Sequence, residues 1–157
     1  MPKTIQIIGS GFSSLAAACY LAKEGNKVSV FEKNDSLGGR ARQFTEKGFT
    51  FDMGPSWYWM PDVFESFFAD FKKKPSDYYS LEKLSPGYRV FFENNEHFDV
   101  SDDLNTIIAD FEKIEKGSGN QLEKFIYNAK SNYEIAIKDL VYRPGESIFE
   151  LITPQTA

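Results

Sequence analysis

The sequence predicts an α/β fold: a parallel βαβ unit at the N-terminus, followed by the start of an α+β region that 157 residues leave incomplete. Three observations carry this. Thr4 to Ile8 is a β-rich run, Gly9-Ser10-Gly11 turns the chain, and Ser13 to Glu24 has helical apolar spacing. A second β-rich run follows at once, Val28 to Glu32. Beyond residue 60, helical and strand-like segments alternate without a repeat.

Taken in order, Thr4–Ile8 lacks strict polar alternation, as befits a strand covered on both faces. Leu15, Cys19 and Ala22 fall on one face of the helix, so Cys19 is expected to pack there, and Gly25 ends it at a left-handed stop. Ala41 to Thr45 and Phe49 to Asp52 read as strands joined at Glu46-Lys47-Gly48, and Met53-Gly54-Pro55 breaks the pattern. Pro61 suits the first turn of a helix bearing Phe64, Phe67, Phe68 and Phe71 on one face. Lys72-Lys73-Lys74-Pro75 ends that helix. Strands are expected at Tyr78–Lys83, Tyr88–Glu93 and Glu96–Val100, with a turn at Ser85-Pro86-Gly87. Ser101 is the expected cap of a helix over Asp102–Glu115. Gly117-Ser118-Gly119 separates it from a longer one, Gln121 to about Val141, and a short helix is expected from Ser147 to Ile152.

Composition removes several function classes. Net charge is -5, which gives nucleic acid no electrostatic support. One cysteine and one histidine, Cys19 and His97, build neither a disulfide framework nor a cysteine- or histidine-based metal centre, and no metal is expected. His97 reads as a surface strand residue, and neither carries chemistry. No apolar run has the length of a membrane span, and the start lacks the marks of a signal peptide. A cytoplasmic location is expected. Aromatic residues reach 16%, with 15 Phe, mostly after residue 48. That bias suits a large apolar substrate or interface, and equally a Phe-rich core.

Gly9-x-Gly11-x-x-Ser14 is a near match to the dinucleotide fingerprint. The first glycine permits the tight turn. The second lets a diphosphate approach the backbone, where the helix N-terminus offers N–H groups and a positive dipole end. Ser14 stands where glycine or alanine is usual and is small enough for close helix–strand packing. Glu32 ends the second strand, 21 residues after Gly11, where a carboxylate accepts from adenosine ribose hydroxyls and disfavours a 2′-phosphate. These features describe a Rossmann-type unit and leave FAD and NAD both open.

Leu37-Gly38-Gly39-Arg40, then Phe51-Asp52-x-Gly54, resembles the GG-R signature of the amine oxidases, protoporphyrinogen oxidases and carotenoid desaturases. Gly48-Phe49-Thr50-Phe51-Asp52-Met53-Gly54-Pro55-Ser56 resembles the corresponding stretch of bacterial-type phytoene desaturases, a group that includes related carotenoid desaturases, isomerases and oxidases. The resemblance covers about residues 4 to 70. It implies FAD as cofactor, with Gly9, Gly11, Ser14, Glu32, Gly39 and Arg40 around its ADP part and Gly54 and Pro55 near the isoalloxazine ring. Arg40 would neutralise diphosphate charge.

The implied activity is FAD-dependent desaturation of a carotenoid precursor such as phytoene: a hydride leaves to the flavin, a proton leaves the neighbouring carbon, and oxygen or a quinone reoxidises the flavin. A carotenoid isomerase or oxidase, an amine oxidase, and a non-catalytic FAD-binding piece are the competing readings. No catalytic acid or base is legible. Residues 1–60 are expected to be the N-terminal part of the FAD-binding domain and 61–157 the beginning of a truncated substrate domain, inactive by itself. The partner is a hydrophobic polyene, with peripheral contact to the inner face of the cell membrane; oligomeric state is not legible. Trp57-Tyr58-Trp59-Met60 and the Phe64/67/68/71 stripe either line a polyene channel or pack as core, the plainer reading at helical spacing. Lys72-Lys73-Lys74 is either a lipid-headgroup contact or a solvated helix end.

Overall fold

The computed structural model describes residues 1–138 and 140–152. Asp139 and residues 153–157, which fall within the expected long helix and second region, lie outside the described residues. The chain forms two compact units, Met1–Tyr79 and Ser80–Ala157. Helix α2, which begins at Pro61, belongs to the first unit; which residues serve a cofactor and which a substrate is a separate question from this division.

In the first unit, strand β1 (Thr4–Ile8), helix α1 (Phe12–Lys23) and strand β2 (Lys27–Phe31) make the expected βαβ unit. The strands pair in parallel, Thr4 beside Lys27 through Ile8 beside Phe31. Ile5, Ile7 and Val28 are half-buried on the face against which α1 packs. On the other face Ile8 and Phe31, adjacent in register, stay 89% and 54% exposed. Gly25 adopts φ 86° and its N–H donates to the Ala22 carbonyl at 2.9 Å, closing α1 with a left-handed turn. Cys19 is exposed, contrary to the packing expectation, because Leu15, Ala18 and Leu21 take the half-buried positions.

A short 3-10 turn, Gly39–Ala41, precedes the hairpin of β3 (Gln43–Glu46) and β4 (Phe49–Asp52), so the first strand starts two residues later than expected. Lys47 and Gly48 both have positive φ (50° and 83°), as a two-residue hairpin loop with right-handed strand twist requires. Phe44 and Phe51, opposite in register, stack at 5.0 Å. Helix α2 (Pro61–Asp70) carries the aromatic stripe, and that stripe is a packing seam. Phe64 meets Phe12 edge-on at 6.0 Å and stacks on Tyr58 at 4.8 Å. Phe67 meets Tyr20 at 5.7 Å, and Tyr20 donates to the Asp70 carboxylate at 2.6 Å. The seam thus ties α2 to α1 by ring contacts and by hydrogen bonds from the Tyr20 hydroxyl and the Lys23 ammonium to Asp70. The expected strand at Tyr78–Lys83 is absent: Pro75–Asp77 forms a 3-10 turn, and Tyr78 and Tyr79 turn back onto Phe68. Their β propensity is overridden by aromatic packing on α2.

In the second unit, β5 (Tyr88–Phe91) and β6 (His97–Val100) pair antiparallel, and Arg89 grips Asp99 across the strands with two hydrogen bonds of 2.5 and 2.7 Å. His97 is exposed on its strand, as expected. Helix α3 (Leu104–Ile114) is capped by Asp103, not Ser101: the Asp103 carboxylate accepts the Thr106 N–H at 2.9 Å, and Ser101 Oγ accepts the Asp103 N–H. Helix α4 (Ser118–Lys138) begins inside the expected glycine spacer and ends before Val141; Leu140–Tyr142 and Ile148–Leu151 are 3-10 turns. Glu112 explains the early start. Its carboxylate accepts the N–H groups of Gly117 and Gly119, satisfying donors that open α4.

Among the described residues no large hydrophobic side chain is fully buried. No described helix is long and apolar enough to cross a membrane.

Candidate functional site

The glycine turn between β1 and α1, the end of β2 and the second glycine pair meet at one place. Gly9 has φ 94° and its N–H donates to the Phe31 carbonyl at 2.7 Å, which holds the turn against the end of β2. Gly38 donates its N–H to the Ser10 carbonyl at 3.0 Å and bridges Gly11 in parallel. Gly39 (φ 61°) lies so close that a Cβ there would stand 3.1 Å from the Cα of Gly11. The GG-R segment is therefore built onto the first glycine turn. The sequence shows the two motifs 27 residues apart; the fold makes them one wall.

Gly11 itself is the informative glycine. Its φ is -69° and ψ 170°, an extended conformation open to any residue, and a Cβ placed there would meet nothing within 4 Å. The fold gives no reason for a missing side chain; a group lying over that backbone does. Gly11 is also the N-cap of α1, no side chain caps the helix, and no acidic residue sits in its first turn. The opening N–H groups of a helix have no intrahelical partner. Here they open a helix beside a glycine whose Cβ position is empty, and such a helix start takes a diphosphate. Ser14, in that first turn, is half-buried.

Glu32 stands directly after β2. Its carboxylate accepts four hydrogen bonds: the Ser10 N–H (2.9 Å) and Oγ–H (2.7 Å) on one oxygen, and the Asn34 N–H (2.9 Å) and Nδ2–H (2.7 Å) on the other. The backbone N–H of Asn34 and both donors of Ser10 pull its pKa down to about 2 from the ordinary 4.5. Glu32 is thus anionic at neutral pH, and its lone pairs are fully used. Sequence reasoning missed Ser10 and Asn34. Ser10 is fully buried, and its place between the two glycines was the signal that could have found it.

Arg40 is exposed, and among the described residues its side chain makes no ion pair or hydrogen bond. Gly54 sits against the Arg40 carbonyl. Pro55 is exposed beyond it. Gly9, Gly11, Ser14, Glu32, Gly39, Arg40 and Gly54 thus belong to one connected region; Pro55 flanks it. Trp57 and Trp59 remain 59% and 64% exposed. Lys72, Lys73 and Lys74 are exposed at the end of α2. Among the described residues no cluster of metal-ligating side chains occurs.

Residues 7–73 match the family described as an NAD(P)-binding Rossmann-like domain. The chain is 48% identical to a carotenoid 3,4-desaturase of Haloarcula japonica over 139 residues, which is 88% of this chain and 28% of that protein. It is 36% identical to a 4,4'-diapophytoene desaturase of Staphylococcus haemolyticus over 152 residues, 97% of this chain and 30% of the relative. A structure of putrescine oxidase aligns with a TM-score of 0.46 at 22% identity, over 72% of this chain and 27% of that one. The chain spans less than a third of the length of the curated relatives it matches. It is a homologue of these carotenoid desaturases and matches their N-terminal part.

Proposed function

We propose that this polypeptide binds FAD through its first unit and works as a carotenoid desaturase, removing hydrogen from a precursor such as phytoene. The observation that carries the cofactor reading is Gly11: a residue with ordinary backbone angles and empty space where its side chain would be. The N–H groups opening α1 would hold the diphosphate, and Arg40, whose side chain has no partner among the described residues, would neutralise it. The second glycine pair, built against Gly11, favours FAD over NAD, because a dinucleotide turn by itself does not call for it.

Glu32 would hold the adenosine ribose. Two of its four donors, Ser10 Oγ–H and Asn34 Nδ2–H, are side-chain groups able to turn away and release lone pairs to sugar hydroxyls, while the two backbone donors keep the carboxylate in place. Bound FAD would supply the two-electron acceptor that a new C=C bond requires. Glycines at 9, 11 and 39 keep side chains out of its path. The substrate reading, a long polyene, rests on the two desaturase relatives and on the aromatic bias of the chain. A water-insoluble substrate favours work at the inner face of the cell membrane, with Lys72, Lys73 and Lys74 as cationic contacts to anionic headgroups.

The test is titration of FAD and NAD separately into the full polypeptide that carries residues 1–157, followed by incubation with phytoene. Uptake of FAD in preference to NAD, with the pigment's absorption moving to longer wavelength, is expected. Preference for NAD overturns the cofactor reading. FAD uptake with a rearranged but unoxidised polyene assigns the protein to isomerisation instead.

A further inference from the structure

Gly54 belongs to the aspartate–x–glycine end of the hairpin, and the family resemblance of that motif implies only closeness to a flavin ring. The contacts it makes point elsewhere. A Cβ added at Gly54 would overlap the carbonyl oxygen of Arg40, lie 3.2 Å from the Arg40 carbonyl carbon and come within 3.8 Å of the Ala41 Cα. Gly54 is not among the glycines of positive φ. Its backbone conformation is one that other residues adopt, so the contact is what demands glycine there. The neighbouring Met53 N–H donates to the Arg42 carbonyl at 2.9 Å, and Gln43 Nε2–H donates to Asp52 Oδ1 at 2.8 Å, so the end of the hairpin is tied to the segment that carries Arg40. On its other side that segment is pressed against the first glycine turn, Gly39 on Gly11. Three pieces of backbone are stacked in sequence: Gly11, then Gly39-Arg40, then Gly54.

From this stack we infer that Gly54 is a positioning residue for Arg40: by leaving room for the Arg40 carbonyl, it lets the hairpin hold that guanidinium over the diphosphate subsite beside Gly11. The inference rests on the ADP-binding reading above and deepens it. Arg40 has no side-chain partner among the described residues, so nothing but its backbone placement sets where the guanidinium reaches. A side chain at position 54 moves the Arg40 carbonyl, because two non-bonded heavy atoms cannot share that space, and the arginine moves with it. A binding group displaced by about 1 Å loses much of its effect.

The test uses the full polypeptide and two probes, ADP and FAD, which share the diphosphate and differ in the flavin. Failure of the parent to bind either overturns the ADP-binding reading itself. Given binding, Gly54→Ala is expected to weaken ADP and FAD by the same factor, about tenfold. Arg40→Ala should do likewise, and the two changes together should cost little more than either. The variant's ADP affinity should also depend less steeply on salt than the parent's. A loss of FAD affinity with ADP affinity unchanged, or losses that multiply in the double variant, overturns the inference and puts Gly54 at the flavin. Should Gly54→Ala fail to fold, Gln43→Ala loosens the same hairpin end without adding an atom. It is then expected to weaken ADP binding by about threefold in the parent and not in Arg40→Ala; unchanged ADP affinity in the parent background overturns the inference.

Discussion

The two units have nearly equal length and opposite character. Residues 1–79 carry 10 Lys and Arg against 9 Asp and Glu; residues 80–157 carry 8 against 14. The first is a parallel unit whose backbone crowds three glycine segments together around open space. The second is an antiparallel hairpin and two helices whose polar groups answer one another: Arg89 with Asp99, Asp103 with Thr106, Glu112 with Gly117 and Gly119. In the second unit the tight glycine is filled, since a Cβ on Gly119 would stand 2.8 Å from the Ile108 carbonyl oxygen. In the first, a Cβ on Gly11 would meet nothing within 4 Å.

That contrast can be broken experimentally, and the largest effect is expected at Glu32. Glu32→Ala should lower ADP affinity of the full polypeptide by about a hundredfold, because charge-assisted hydrogen bonds to the sugar and the fixed geometry around Ser10 go together. Titration calorimetry measures it; an affinity within threefold of the parent's would remove Glu32 from the site. The same carboxylate sets a pH dependence. Its pKa in the folded chain is about 2, depressed from 4.5. The stability it contributes is therefore complete above 4.5 and fades as pH falls toward 2. Thermal melts of the parent should lose more between those limits than melts of Glu32→Gln.

A smaller effect, and of the other kind, is expected in the second unit. Gly119→Val should destabilise it by about 1–3 kcal/mol, since the added atoms meet the Ile108 carbonyl and Glu112. Denaturant unfolding reads this, while ADP affinity stays as in the parent. Loss of ADP binding in that variant would contradict the assignment of the nucleotide to the first unit alone. The smallest effect belongs to Asn34→Ala, which removes a side-chain donor from Glu32 and keeps the backbone one. ADP affinity should hold or rise slightly; a tenfold fall would mean that Asn34 contacts the nucleotide or is needed to orient Glu32.

Much of the first unit was legible because its signals are local. The strand at Thr4–Ile8, the stop at Gly25 and the hairpin loop at Lys47-Gly48 each follow from a few adjacent residues. The strand expected at Tyr78–Lys83 failed for the opposite reason. Two tyrosines with high strand propensity found partners on Phe68, ten and eleven residues away, and a sequence window has no view of that. Asp103 displaced Ser101 as the helix cap because two good cap residues lay within one turn, and only the helix start decides between them. At the site, the glycines and Glu32 could be read from spacing, but the groups that hold Glu32, Ser10 and Asn34, and the Gly54–Arg40 contact arise from backbone approach in three dimensions.

The most direct measurement is hydrogen exchange of the full polypeptide with and without ADP. Slower exchange of the amides at residues 9–15 and 38–42, with residues 104–138 unchanged, is the expected result, because a diphosphate held by the start of α1 protects the donors it accepts from. Tight ADP binding that leaves residues 9–15 exchanging at their original rate would contradict it.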